Sequence, residues 1–301
     1  MKKLLALILI ACTLFTLTSC GGKKYTLAIG VAVTEPGESV KTSETVAAVV
    51  FDKKDKIVAC RIDAIDVALS IGDNGLVVNK TYQTKAELGD NYKMVAYGGA
   101  IAEWYAQAQA FESYVVGKTV AEVEGINADT QIAGCTIDVS EFVQAVAAAG
   151  KDAYKVEFKS KDVPTLGVSA VAAVSDKSSE TETKAEVAVD FAAVAMVDGK
   201  VVAATLDCAA ATLTYALSGE SYACTKFDFK GTKRALGDNY NMVAYGGAAA
   251  EWYAQAQAYA NSAVGKTASE VAGLATTGVA GCTIYAGSMQ QALDKAAKYA
   301  R

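Results

Sequence analysis

The chain has 301 residues, 52% of them hydrophobic, with 28 basic side chains against 33 acidic ones and a formal net charge of −5. It contains no histidine, which excludes Ser-His-Asp and Cys-His nucleophilic catalysis in their usual forms, histidine-ligated haem and ordinary zinc sites. The acidic balance argues against nucleic acid and against an electrostatic grip on anionic lipid. Only two prolines among many alanines describe a compact, regular chain.

At the start, Lys2 and Lys3 precede an apolar run from Leu4 to Leu17, too short for a comfortable membrane span and in proportion with a signal-peptide core. The run ends in Leu17-Thr18-Ser19-Cys20-Gly21-Gly22, which resembles the lipobox of bacterial lipoprotein signals. The resemblance implies that residues 1–19 are a signal peptide, that Cys20 is lipidated, and that the chain is held on the extracytoplasmic side of the cell envelope. Its first partner is then the lipid bilayer, reached through acyl chains that each add about 0.8 kcal/mol per buried methylene. The 282 residues left after cleavage, with 26 basic and 33 acidic side chains, suggest two domains of ordinary size.

Strand-rich segments follow at Thr26–Val33 and Thr45–Phe51, separated by the turn-forming stretch 34–43. After the charged turn Asp52-Lys53-Lys54-Asp55, a third strand runs from Ile57 to Val67. Then the period changes: Ile101, Trp104, Tyr105, Ala108, Phe111 and Val115 fall on one helical stripe. Thr119 and Glu122 have capping-box spacing for a short second helix, and a last helix covers about 141–149. Lys151 to Thr165 reads as a connector.

The same order then recurs. Strands are expected at Gly167–Val174, Val187–Met196 and, after the Asp198-Gly199 hairpin signal, Val201–Thr205. Ala249, Trp252, Tyr253, Ala256 and Tyr259 form the second stripe, Thr267 and Glu270 the second capping box, and Met289–Tyr299 the closing helix. Residues 84–123 align on 232–271 without gaps at 29 of 40 identical positions. The period, close to 148 residues, is a whole domain, not a solenoid unit. The expected architecture is α+β: two tandem copies of an antiparallel sheet packed with helices, at 24–150 and 160–301, each folding on its own.

Cys60, Cys135, Cys208, Cys224 and Cys282 remain beside Cys20, with no Cys-x-x-Cys spacing, so small core residues are expected and not a metal knuckle or redox pair. Trp104 and Trp252 are expected in the core. Gly117-Lys118-Thr119 and Gly265-Lys266-Thr267 look like the tail of a phosphate loop, but Glu112 and Ala260 stand where that loop needs its first glycine. The acidic residues offer no acid/base dyad or calcium loop.

The remaining signal is the order of parts: strands, a Leu-Gly-Asp loop, an aromatic-rich helix, Gly-Lys-Thr, then Gly-x-Thr-Ile and a closing amphipathic helix. This resembles the FMN-binding domain of flavin-carrying subunits of sodium-pumping quinone reductases and of surface lipoproteins in extracellular electron transfer. The resemblance covers about 110 residues per copy and implies FMN between Leu88, Gly89 and Asp90 and the turn Gly134, Cys135 and Thr136. In the second copy the corresponding residues are Leu236, Gly237, Asp238, Gly281, Cys282 and Thr283. The family's last motif is roughly D-x-x-S-G-A-T, whose threonine can carry FMN covalently. Here Ala133 and Ala280 replace its serine, Cys135 and Cys282 its alanine, and Thr130 and Thr277 its aspartate. Non-covalent FMN is therefore the expectation, together with electron transfer to a redox partner at the cell surface. A glycine turn entering a helix does suit a phosphate, because backbone N–H groups and the helix dipole point at it. The alternative is a non-catalytic surface binding or adhesion module on a degenerate form of the same fold, with each turn threonine a structural hydroxyl.

Overall fold

Alternating apolar residues that fit a pleated surface build the first sheet of the computed structural model, which describes residues 22–37, 40–72, 75–78, 80–218 and 221–301. Strands β1 (Lys23–Thr34), β2 (Lys41–Asp52) and β3 (Ile57–Ala68) form an antiparallel meander. A small hairpin follows, β4 (Ser70–Gly72) with β5 (Gly75–Val77). The helical part comprises α1 (Lys85–Leu88), α2 (Met94–Gly98), α3 (Trp104–Val115), α4 (Val120–Glu124) and α5 (Ser140–Lys151). The expected connector contains β6 (Val156–Ser160), which returns to pair with β1 and makes the sheet order β3-β2-β1-β6.

The second copy repeats the three-strand meander, with a longer second and third strand, and adds its fourth strand at the opposite edge: β7 (Thr165–Asp176), β8 (Thr183–Val197), β9 (Lys200–Ser218) and β10 (Ser221–Asp228), in the order β10-β9-β8-β7. Asp198 and Gly199, both at positive φ (50° and 72°), make the tight β8–β9 turn. Helices α6 (Lys233–Leu236), α7 (Trp252–Asn261), α8 (Ala268–Ala272) and α9 (Gly287–Lys298) complete it. Both capping boxes form, at Thr119–Glu122 and Thr267–Glu270. Ile101 and Ala249 precede their helices, and Ile101 is exposed, so each buried stripe begins at the tryptophan. No described helix is long and apolar enough to cross a membrane.

The period-2 alternation divides each sheet into two buried faces. On β2, Val46, Ala48 and Val50 face the other sheet, while Ala47, Val49 and Phe51 face the helices. The inter-sheet layer joins Leu27, Ile29 and Ile65 of the first copy to Leu166, Phe191 and Leu213 of the second. The outer layers hold Trp104, Phe111 and Phe142 on one side, and Trp252, Tyr259 and Leu293 on the other. The result is four layers, helix–sheet–sheet–helix. The two copies share their middle core, which packs the sheet of one against the sheet of the other.

β3 packs over β7 and β1 over β9, which relates the copies by a pseudo-two-fold axis along the strands. Equivalent ends of the sheets therefore coincide: Leu166 near the start of β7 shares a cleft with Val58 and Ala59 at the start of β3. Close approach of helix to sheet is set by glycine. A Cβ on Gly30 would overlap the backbone of Ala145 and Ala149 in α5, and one on Gly167 would overlap the Ala296 carbonyl in α9.

Candidate functional site

Each α1-type turn is built on a buried aspartate. Asp63 accepts the N–H groups of Ala64 (2.8 Å) and Ala86 (3.1 Å), and Asp207 those of Cys208 (2.7 Å) and Arg234 (3.1 Å). Burial pushes both carboxyls up to about 6, against the pull of the Thr84 or Thr232 hydroxyl and of the backbone donors. A 3-10 turn follows in each copy, Gly89–Tyr92 and Gly237–Tyr240, entered through glycines at φ 51° and 54°. The Leu88-Gly89-Asp90 loop is tied to α3 by Tyr105, whose hydroxyl donates to Asp90 at 3.1 Å; Tyr253 does the same to Asp238 at 3.1 Å.

Beyond that turn the chain makes an exposed loop, which includes the single turn of α2 in the first copy, held from beneath. Both carboxylate oxygens of Glu103 accept N–H groups, from Met94 (2.9 Å) and Val95 (3.1 Å), and Glu251 receives Met242 (2.9 Å) and Val243 (3.0 Å) in the same way. Lys93 and Asn241 sit at left-handed φ of 60° and 61°, and Gly99 and Gly247 both at 63°. The loop presents Val95 and Tyr97 in one copy and Val243 and Tyr245 in the other, the tyrosines 81% and 88% exposed. Lys85 and Lys233 lie over the rings behind it, those of Tyr92 and Trp104 and of Tyr240 and Trp252 respectively.

The Gly134-Cys135-Thr136 turn lies on another part of α3. The fully buried Gln107 accepts the Thr136 N–H at 2.8 Å and its hydroxyl at 3.2 Å, and donates to the Ala102 carbonyl at 2.8 Å. Gln255, Thr283 and Ala250 repeat this at 2.9, 2.9 and 2.8 Å. Cys135 and Cys282 are buried, as are Cys60 and Cys208, and Cys224 is half-buried; all five are free thiols. The donors expected to meet a phosphate are thus engaged by a side-chain amide in both copies. α3 touches both proposed walls of the flavin site, but Tyr105 and Gln107, which hold them, are two residues apart and so on different helix faces. Cys20 and the expected signal peptide lie outside the described residues.

A cleft of about 740 Å³ opens between the copies. Leu236, Gly237 and Asp238 form one wall and the end of α5 with Tyr154 the other. It was not legible in the sequence, because it joins residues some 80 positions apart. The signal that bears on it is a mismatch inside the repeat: Arg234 and Ala235 stand where the first copy has Ala86 and Glu87.

No family model, curated protein or solved structure matches the chain. The internal duplication is therefore the comparison that bears on function.

Proposed function

We propose that this chain is a lipid-anchored, extracytoplasmic, non-catalytic binding protein whose contact surface is the pair of exposed loops at Val95–Tyr97 and Val243–Tyr245. One observation carries the reading: the exposed loops have diverged less than the sheets. Residues 93–103 and 241–251 agree at nine of 11 positions, whereas register-matched β2 (41–52) and β8 (186–197) agree at three of 12. Packing accounts for the retained glycines, Asp90, Glu103, Trp104 and Gln107. It does not account for Val95 and Tyr97, whose side chains leave the protein surface.

Position supports the same reading. Tyr92 donates to Asp66 near the end of β3 (3.4 Å), while Gly117 donates to Ile57 at its start (2.7 Å). Lys23, the first residue of β1, lies at the Ile57 end of the sheet. An anchor on Cys20 would hold that end at the membrane and leave both loops at the opposite pole, some 40 Å away by strand rise. Two identical contacts on one pole suit a repetitive partner, since the second contact is made at high effective concentration. The loop's basic residue is not retained, Lys93 being Asn241 in the second copy, so the proposed partner is one that needs no contact with a cation there. Neutral glycans have this chemistry: the apolar face of a sugar ring stacks on an exposed tyrosine, whose hydroxyl remains free to hydrogen-bond.

Co-sedimentation with cellulose and chitin, with heparin as the charged control, tests this. The wild-type chain should be retained on a neutral polymer and released by Tyr97→Ala/Tyr245→Ala with its thermal midpoint unchanged. Equal retention of that variant, or none of the wild type, removes the reading. Flavin at the two Gly-Cys-Thr turns is the competing function. It requires Gln107 and Gln255 to release their threonines, and fluorescence quenching on titration with FMN decides it.

A further inference from the structure

The two exposed loops lie on opposite sides of the molecule. Tyr92 and Met94, which lead into the first, pack on the core of one helix layer. Tyr240 and Met242, which lead into the second, pack on the core of the other. Both sheets stand between those cores, so layer spacing sets the loops on the order of 30 Å apart.

The middle of the molecule also rises past them. The first loop starts level with Asp66, which accepts the Tyr92 hydroxyl at 3.4 Å. The matching turn aspartates, Asp63 and Asp207, make Ala210 the counterpart of Asp66 on β9. From Ala210, β9 runs on to Ser218 before the chain returns as β10, adding about 26 Å of strand by its rise. β8 lengthens with it, Thr183 facing Tyr215. Leu76 and Tyr82 of the first copy share a core with Leu213 and Tyr215 of this extension. Strands of both copies therefore form a fin, with one loop on each flank.

We infer that each chain holds two separate strands of its neutral glycan, one per loop, and so cross-links them. The inference rests on the loops being the glycan-binding surface. A single strand touching both tyrosines would have to pass over the fin or bend around four layers. A stiff strand of the cellulose or chitin kind does neither. The pseudo-two-fold relation and the repeated Val-Ala-Tyr make the two contacts alike, so both strands are of one polymer. In a polymer mesh the second strand is near at hand once the first is held.

Viscometry of soluble hydroxyethyl cellulose and glycol chitin tests the inference, alongside retention on insoluble cellulose and chitin. The full chain is used with Cys20→Ser, so that no acyl group joins molecules. It should raise the viscosity, and a large excess should lower it again as each strand contact takes its own molecule. Tyr97→Ala or Tyr245→Ala alone should leave the viscosity unchanged. Each single variant should still be retained through its other loop, about tenfold or more weakly. Retention without a rise in viscosity would overturn the cross-linking and leave the loop reading standing. An equal rise with either single variant would also overturn it. No retention at all would remove the loop reading and this inference together.

Discussion

Gln107 Oε1 accepts both the backbone N–H and the hydroxyl of Thr136, at 2.8 and 3.2 Å, from a side chain with no solvent exposure. One amide thereby ties the Gly-Cys-Thr turn to the loop that enters α3, since its own N–H is spent on Ala102. Gln107→Leu keeps the volume but removes the bonds to the Thr136 N–H and the Ala102 carbonyl, neither of them on a buried residue, at about 0.5–1.5 kcal/mol each. The expected loss is about 1–3 kcal/mol, read from urea unfolding. Thr136→Val removes only the hydroxyl and should cost about 1 kcal/mol. If Gln107→Leu costs less than Thr136→Val, the amide is not the organising group.

The shared inter-sheet core predicts that neither half is stable alone. A fragment ending near residue 160 would expose Leu27, Ile29, Val46, Val50 and Ile65, all essentially buried in the whole chain. At roughly 1.5–3 kcal/mol for each large side chain, the loss reaches the whole stability of an ordinary domain, about 5–15 kcal/mol. Residues 24–160 and 161–301 expressed separately should lack a cooperative thermal transition or dimerise through the exposed sheet. A monomeric fragment with a sharp transition would show that the helix-side core suffices.

The duplication, the antiparallel strands and the helices were legible because they rest on local signals: alternation, helical stripes, capping boxes at Thr119 and Thr267, the Asp198-Gly199 turn. The partner of each sheet was not. Val46 and Val49 are both valines on β2, yet one faces a sheet and the other a helix, and nothing in hydropathy separates a sheet-facing layer from a helix-facing one. Strand β6 was hidden for a related reason: Val156-Glu157-Phe158-Lys159-Ser160 is short and lies on a sheet edge. The candidate loops at Leu88-Gly89-Asp90 and Gly134-Cys135-Thr136 were placed by motif order, which cannot reveal that a glutamine between them already satisfies the turn.

Cys20→Ser tests the anchor. If the lipobox-like sequence is processed, the variant should lose incorporation of labelled palmitate and leave the membrane fraction. Undiminished labelling would show that Cys20 is not the acylated residue and would remove the argument that places the exposed loops at the outer pole.

Buried carboxyls make stability fall with rising pH. Burial pushes Glu44 up to about 8, opposed by the Thr42 hydroxyl and reinforced by the nearby charges of Asp66 and Glu141. Burial likewise pushes Glu112 up to about 7 despite Arg61, and Asp63 and Asp207 up to about 6. In each case the native state holds its proton more tightly than the unfolded chain, so between the unfolded and folded values the native state binds more protons. Stability from these groups is therefore full below about pH 4 and is lost progressively as pH rises through about 8, the value about which Glu44 ionises. Glu122 works in the opposite sense: hydrogen bonds from Lys56 and Thr119 hold it down at about 2, but it is exposed and acts only in the acid range. The thermal midpoint should be higher at pH 5 than at pH 8. Glu44→Gln, which keeps the shape and cannot ionise, should flatten the decline above pH 7, where Asp63, Asp207 and about half of Glu112 have already titrated. It should raise the midpoint at pH 8 more than at pH 5. An unchanged slope between pH 7 and 8 in that variant would assign the decline to another group.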